Sequence, residues 1–267
     1  MKPYVHGYEQ RERERLHDQA GTLAELLHHD TRYPAGSRVL EAGCGVGAQT
    51  VYLAGHSPRA EITSMDISPQ SLAEARALAR DHGLANVGFC RGDLFRPPFP
   101  AESFDHVFVC FVLEHLAQPL AALQALRALL RPGGSLTLIE GDHGSCYFHP
   151  ETAAARSAWE CLIRVQALLG GNSLIGRQVQ PLLKGSGLRE VSAGPREVYC
   201  DESRPQWMEG FVKKTIIPMV EGVRERALAE GMIDEATWRQ GIRDLHATGT
   251  PPQGVFCYTF FKGVGVK

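Results

Sequence analysis

The chain has 267 residues and a formal net charge of −2, with 43% hydrophobic and 22% charged side chains. This composition excludes a disordered or fibrous protein, and it disfavours a nucleic-acid partner because phosphate binding calls for a basic surplus. The seven cysteines contain no C-x-x-C pair, which argues against a disulfide framework or a zinc site. The first residues lack the apolar core of a secretion signal, and no run of about eighteen apolar residues follows. We therefore expect a cytoplasmic protein without a membrane partner.

The N-terminal region has a charged amphipathic pattern over residues 8–29, with Leu16, Leu23, Leu26 and Leu27 on one face. The pattern predicts a helix, and we interpret residues 1–30 as an N-terminal helical lid. A frayed terminus is the alternative.

Short apolar runs then alternate with helical stretches. The predicted strands are 37–42, 61–66, 86–91, 104–110 and 134–140, and the predicted helices are 48–54, 69–82 and 119–130. Ser68 is placed to cap the helix over 69–82, and Pro69 occupies its first position. Strands that alternate with helices at this spacing predict βαβ units and a doubly wound parallel sheet.

The second half of the chain has a different pattern. Residues 150–185 and 204–246 are predicted to be mainly helical, whereas 188–199 and 255–266 are predicted strands. We interpret residues 31–267 as one domain with helical cap insertions at about 143–185 and 201–250. The sheet then ends in an antiparallel hairpin that the second insertion interrupts.

A glycine-rich turn, EAGCGVG over residues 41–47, lies between the first predicted strand and its helix. Glycines at 43, 45 and 47 allow positive φ and close approach of a ligand, and the helix that follows offers unpaired N–H groups. Three interpretations compete: a tight turn without a ligand, a dinucleotide site, and a site for S-adenosylmethionine (SAM). The glycine spacing alone does not decide among them.

Acidic residues beside the turn favour SAM. Glu41 would repel a pyrophosphate but suits an amino group, or a water molecule beside a sulfonium. Asp66 ends the second strand, where a carboxylate can accept both ribose hydroxyls, as an acid also does in NAD sites. Asp93 and Leu94 follow the third strand, where Asp93 can accept an adenine N6 proton and Leu94 can pack on the ring.

Five segments in order, EAGCGVG, ITSMDIS, GDL, FDHVFVCFVLEHL and LRPGGSL, resemble the motifs of the class I SAM-dependent methyltransferases. They are most similar to the branch that methylates small molecules such as quinones and natural products. The resemblance is strong over residues 37–140 and weak over the last two strands. It implies an α/β, Rossmann-like, seven-stranded and mostly parallel sheet whose last strand is antiparallel.

The same resemblance implies a cofactor and a set of contacts. The cofactor is SAM, with S-adenosylhomocysteine as its product and without a metal. The implied cofactor contacts are Glu41, Gly43, Cys44, Gly45, Gly47, Asp66, Ile67, Asp93, Leu94, Cys110 and Phe111. We interpret the two cysteines in this set as packing residues and not as nucleophiles.

Methyl transfer from a sulfonium is an in-line displacement, so alignment of the acceptor carries much of the catalysis and a base is not always needed. His115 and His143 are the candidate bases, since histidine titrates near neutral pH. For Glu114-His115 the alternative is a helix cap and a packing contact. The predicted acceptor contacts are Tyr8, Glu140, Asp142, His143 and Tyr147, with solvated loop residues as the alternative.

We therefore expect methyl transfer to an O, N, S or C atom of a small organic acceptor. Motifs of nucleic-acid methylation are missing: strand four is followed by CFVLEH, without N-P-P-Y, D-P-P-Y or Pro-Cys. The alternatives are an RNA or protein methyltransferase, a non-catalytic SAM-binding module, and a nucleotide-dependent oxidoreductase. The oligomeric state stays open, with a homodimer as one alternative.

Overall fold

The structure is a computed structural model that describes residues 21–250 and 252–267. Within these residues the chain forms a seven-stranded sheet in the order β3-β2-β1-β4-β5-β7-β6. The strands are β1 (Arg38–Ala42), β2 (Glu61–Asp66), β3 (Val87–Arg91), β4 (Phe104–Cys110), β5 (Leu130–His149), β6 (Arg189–Cys200) and β7 (Val255–Val266). The first five strands pair in parallel, and β7 is antiparallel to both of its neighbours. The predicted Rossmann-like sheet with an antiparallel last strand is confirmed.

Helices flank the sheet. They are α1 (21–28), α2 (Thr50–His56), α3 (Pro69–Asp81), α4 (Pro119–Ala128), α5 (Ala153–Leu168) and α6 (Val179–Gly185), with 3₁₀ turns at Leu113–His115 and Ile175–Gln178. The Ser68 hydroxyl caps α3 by accepting from the Ser71 N–H at 3.2 Å, and Pro69 is the first helical residue, as predicted. The helices predicted at 48–54, 69–82 and 119–130 are shifted at their ends by at most two residues.

The sheet is covered on both faces. Val39 belongs to one hydrophobic core with α1, α2 and α5, whereas its neighbour Leu40 belongs to a second core with α4 and α6. Successive side chains of a strand point to opposite faces, so a strand buried on both sides reads as a continuous apolar run. This is why the first half of the sequence predicts its strands well.

Strand β5 is much longer than the sequence predicts. It pairs with β4 as far as Ile139 and then continues along β7 from Glu140 to His149. The predicted strand end at residue 140 and the alternative of solvated loop residues beyond it are therefore wrong, and the first insertion begins after His149 instead of at 143. The physical reason is a change of partner: β7 supplies hydrogen bonds beyond the point where β4 ends, and it lies more than a hundred residues away in sequence.

The second insertion lies between β6 and β7 and is helical, as predicted. It contains α7 (Pro205–Trp207), a π-helix (Met208–Ile216), α8 (Ile217–Glu221), α9 (Arg224–Ala229) and α10 (Glu235–Thr248). Helix α10 packs against α5 of the first insertion, and Phe211 of the π-helix packs against the β7 aromatic rings Phe256, Tyr258 and Phe260. The two insertions thus form one helical cap over the antiparallel end of the sheet.

The described part of the N-terminal region is a helix with Leu23 and Leu27 buried, in agreement with the predicted amphipathic face. Its end is fixed by Lys262 of β7, whose Nζ donates to Asp30 and Thr31 at 2.5 Å each. Leu16 and the rest of residues 1–20 lie outside the described residues, so the lid stays a prediction. None of the helices in residues 21–250 and 252–267 combines the length and the apolar character that a membrane span requires.

Candidate active site

The glycine-rich turn follows β1 at the carboxyl edge of the parallel strands. Gly43, Gly45 and Gly47 have φ of 82°, 52° and 86°, values that favour glycine. The N–H groups of Gly43 and Cys44 both donate to the Met65 carbonyl, at 2.8 and 3.0 Å, which fixes the turn to the end of β2. The turn is therefore a rigid part of the sheet edge.

The three glycines differ in what surrounds them. A Cβ on Gly43 would lie 2.6 Å from Cγ2 of Val112, and one on Gly47 would lie 2.9 Å from Cβ of Ala75. A Cβ on Gly45 would have no described atom within 4 Å. Gly43 and Gly47 are thus needed for packing within the protein, whereas Gly45 borders open space that suits a ligand.

Glu41 lies beneath the turn and is buried. Its Oε2 accepts hydrogen bonds from the hydroxyls of Thr50 and Ser64, both at 2.6 Å. Burial raises the pKa of Glu41 to about 7, and the two hydroxyl donors act against that rise. A carboxyl group poised near neutrality ionises readily when a cation approaches, which fits the predicted amino-group contact.

Asp66 is held in a fixed orientation at the end of β2. Its Oδ2 accepts from the Gly45 N–H and its Oδ1 from the Ser68 N–H, each at 2.8 Å. A carboxylate has about four acceptor positions, so two remain for a pair of hydroxyl groups. Ile67, the next residue, is 44% exposed, and its predicted cofactor contact stays a prediction.

Asp93 and Leu94 follow β3, as predicted. The Asp93 Oδ1 accepts from the Phe95 N–H at 2.9 Å, and this side chain is exposed. Leu94 packs against the core on the α4 side of the sheet. The acid is therefore accessible to a ligand, and its predicted contact with adenine stays a prediction.

Two cysteines of the implied cofactor set are buried. Burial raises the pKa of the Cys44 thiol and of the Cys110 thiol, so neither is a reactive thiolate. Phe111 follows Cys110 with φ of 58°, which is strained for a residue with a side chain. Its N–H donates to the Ile139 carbonyl at 2.9 Å, and its ring packs on Phe260 with centroids 5.3 Å apart. These contacts hold Phe111 in place, partly exposed at the sheet edge.

Glu140 holds the loop after β4. Its Oε1 accepts from the N–H groups of Val112 and Leu113 at 3.0 and 2.7 Å, and the side chain is fully buried. Burial raises the pKa of Glu140 to about 8, and the nearby Glu114 carboxylate adds to the rise. Glu140 therefore supports the Val112 backbone, and through it the packing of Val112 on Gly43. It is placed to position the loop, and its predicted contact with an acceptor stays a prediction.

Glu114 and His115 form the 3₁₀ turn that follows. The side chain of Glu114 is 12% exposed and that of His115 is 19% exposed, and His115 Nε2 lies 3.6 Å from Glu114 Oε1. Gln166 of α5 donates from Nε2 to Glu114 Oε2 at 3.0 Å, and the Asn172 N–H donates to the Glu114 carbonyl at 2.7 Å. The first cap insertion thus reaches down to the predicted catalytic segment.

The remaining predicted acceptor residues are spread over both faces of β5. Asp142 is buried and accepts from Arg177 Nε and Nη2 at 2.6 and 2.8 Å, which ties the 3₁₀ turn at 175–178 to the sheet. His143 is also buried, with Nδ1 2.6 Å from the Tyr258 hydroxyl. Tyr147 is 60% exposed, and Tyr8 lies outside the described residues.

Several residues of this region were missed from the sequence. Thr50, Ser64, Arg177 and Tyr258 each bond to a predicted site residue, and Gln166 bonds to Glu114, the neighbour of the candidate base His115. Ser64 could have been noticed in the sequence, because it is a polar residue between the apolar Ile62 and Met65 of strand β2. The others stand in helices or in β7 without a local pattern that marks them, and only the fold brings them together.

Comparison with known proteins finds relatives of this chain. A family model described as a methyltransferase domain matches residues 39–134. An uncharacterized methyltransferase of Schizosaccharomyces pombe is 32% identical over 189 residues, which is 67% of this chain and 68% of the relative. A demethylmenaquinone methyltransferase of Deinococcus radiodurans is 33% identical over 156 residues, 56% of this chain and 59% of the relative.

A solved structure is similar in fold. Phosphoethanolamine N-methyltransferase 2 of Haemonchus contortus, in complex with S-adenosylmethionine, matches with a TM-score of 0.57 and 15% identity, covering 94% of this chain and 52% of that one. The sheet order, the glycine-rich turn and these relatives together define a methyltransferase. The chain belongs to the class I SAM-dependent methyltransferases.

Proposed function

We propose that this chain transfers the methyl group of SAM to a small organic acceptor, at an oxygen, nitrogen, sulfur or carbon atom. The observation that carries the proposal is the open space beside Gly45, bordered by a turn whose N–H is bonded to the Asp66 carboxylate. Asp66 would bind the ribose hydroxyls of SAM, and Glu41 would bind its amino group. When bound, SAM supplies a methyl group on a sulfonium, which an aligned nucleophile can take by in-line displacement.

The cap supports a small acceptor. Gln166 and Asn172 of the first insertion bond to Glu114, so helices lie against the loop after β4 where a methyl acceptor would enter. Binding of a nucleic acid would require this edge of the protein to be open and basic, and the net charge of −2 supplies no basic surplus. One relative is a demethylmenaquinone methyltransferase by name, which also favours a small acceptor.

A base, if the acceptor needs one, comes from the partly exposed segment after β4. His115 retains 19% of its side-chain exposure, whereas His143 is covered by Trp159 and Tyr258. We therefore favour His115 over His143 for proton removal. An acceptor that is already ionised needs neither histidine.

The test uses labelled SAM with a panel of phenols, amines, thiols and quinols, and calorimetric titration with S-adenosylhomocysteine. We expect saturable binding of the product and labelling of at least one acceptor. No binding of S-adenosylhomocysteine would overturn the proposal. Binding without transfer to any acceptor would support a non-catalytic SAM-binding module instead.

A further inference from the structure

Helix α1 contacts the segment that joins the glycine-rich turn to α2. The last residue of α1, His28, is buried, and its Nε2 lies 2.6 Å from Oε1 of Gln49. Burial lowers the pKa of His28 to about 4, so the ring is neutral near pH 7 and carries a single N–H proton. Because an amide oxygen accepts and cannot donate, that proton is on Nε2, and His28 donates to Gln49.

Gln49 stands at the start of α2, two residues after the last glycine of the turn. Its carbonyl accepts from the N–H groups of Tyr52 and Leu53 at 3.0 and 3.1 Å, and these bonds begin the helix. The next residue, Thr50, donates its hydroxyl to Glu41, the buried acid beneath the turn. The position of Gln49 therefore affects both the end of the glycine-rich turn and a hydrogen bond of Glu41.

The His28 ring is itself held by its neighbours. It stacks on Tyr52 with centroids 6.0 Å apart, and its centroid lies 5.7 Å from that of Phe108 in β4. Lys262 of β7 donates from Nζ to the carbonyl of Leu27, the residue before His28, at 3.4 Å. The imidazole is therefore fixed relative to the sheet, whereas the glutamine that it bonds is partly exposed and is oriented by this bond.

We infer that His28 is a positioning residue for the cofactor turn. Through its hydrogen bond to Gln49, it holds the glycine-rich turn and the start of α2 in the orientation that binds SAM. Loss of this bond lowers the fraction of molecules with a competent turn, and the apparent dissociation constant rises in proportion. The inference rests on the proposed function, because it takes the turn to be the SAM site.

Two substitutions at position 28 separate the hydrogen bond from the packing of the ring. His28→Phe retains an aromatic ring beside Tyr52 and Phe108 but has no donor, whereas His28→Gln retains an N–H donor but has no ring. Calorimetric titration with S-adenosylhomocysteine measures both variants. We expect affinity to fall about three- to tenfold in His28→Phe, the effect of one hydrogen bond, and to stay within about twofold of the natural chain in His28→Gln. A role in packing alone predicts the opposite order.

Gln49→Leu removes the other partner of the bond, and it keeps the inference testable if His28→Phe does not fold, since Gln49 is partly exposed. It should also weaken binding about three- to tenfold. The double variant His28→Phe/Gln49→Leu should bind no more than about twofold more weakly than the weaker of the two single variants, because both changes remove the same bond.

His106→Phe is the matched control. It removes a 2.8 Å hydrogen bond between another partly buried histidine and the hydroxyl of Ser135, near the start of β4 and away from the carboxyl edge where the turn lies. Affinity for S-adenosylhomocysteine should therefore stay within about twofold of that of the natural chain, because this bond supports no part of the turn.

Unchanged affinity in His28→Phe, or independent losses that multiply in the double variant, would overturn the inference. So would a larger loss in His28→Gln than in His28→Phe, or a loss of similar size in His106→Phe. Absence of S-adenosylhomocysteine binding in the natural chain would overturn the proposed function and this inference together, whereas unchanged binding in His28→Phe overturns the inference alone.

Discussion

Replacement of Gly43 by alanine tests whether the glycine-rich turn is built as the structure indicates. The new Cβ would lie 2.6 and 3.1 Å from the two γ-carbons of Val112, and the residue would keep a φ of 82°. Left-handed backbone costs alanine about 1–2 kcal/mol, and overpacking adds about 1–3 kcal/mol, so the expected loss is about 2–5 kcal/mol. That is a large part of the free energy of unfolding of an ordinary domain, about 5–15 kcal/mol.

Gly45→Ala is the matched control, because Gly45 has positive φ but no described atom near the position of a Cβ. Only the backbone term applies, so we expect a loss of about 1–2 kcal/mol. Urea unfolding measures both variants. Affinity for S-adenosylhomocysteine should nevertheless fall in Gly45→Ala, because the methyl group enters the space assigned to the ligand.

The double variant Gly43→Ala/Val112→Ala tests whether the new methyl group clashes with Val112. We expect its loss of stability to be smaller than the sum of the losses in the two single variants, by about 0.5–3 kcal/mol. Equal destabilisation by Gly43→Ala and Gly45→Ala, together with additive behaviour of the double variant, would refute the assigned packing of Val112 on the turn.

Three further predictions concern the acids Asp66, Glu140 and Glu41. Asp66→Asn should weaken S-adenosylhomocysteine binding roughly 10–100-fold, as expected for loss of a charge-assisted hydrogen bond, and calorimetry that finds unchanged affinity would contradict this. Glu140 has a pKa of about 8 in the folded protein against an ordinary 4.5, so its contribution to stability is present below about pH 4.5 and is lost as the pH rises towards 8. As the pH rises from 5 to 8, the free energy of unfolding of Glu140→Gln, measured with urea, should therefore increase relative to that of the natural chain. If the two free energies change with pH in parallel, the raised pKa of Glu140 is contradicted. Thr50→Val removes one hydroxyl donor from Glu41, which should raise the pKa of Glu41 further. The pH dependence of S-adenosylhomocysteine binding should then shift to higher pH. An unchanged pH dependence would show that Glu41 does not contact the cofactor.

The first half of the fold could be predicted from the sequence because its signals are local. The Ser68 cap, the proline after it and the continuous apolar strands each depend on a few neighbouring residues. The glycine-rich turn is equally local, since positive φ at Gly43, Gly45 and Gly47 is a property of the residue type. Glu41 and Asp66 could be assigned to the site because each stands at or next to the end of a predicted strand.

The cap side of the site could not be predicted in the same way. The extension of β5 depends on pairing with β7, a strand more than a hundred residues away in sequence. His143 and Tyr258 are 115 residues apart and meet only because β5 and β7 are neighbours. The contact of Gln166 with Glu114 could not be predicted from the sequence, because it depends on where the fold places the end of α5.

Titration of the natural chain with S-adenosylhomocysteine and NADH in competition tests the central claim most directly. The acidic surroundings of the turn, with Glu41 buried beneath it and Asp66 bonded to the Gly45 N–H, predict saturable binding of one S-adenosylhomocysteine per chain that NADH does not displace. Binding of NADH at the same site, or no binding of S-adenosylhomocysteine, would contradict the assignment of this turn to SAM.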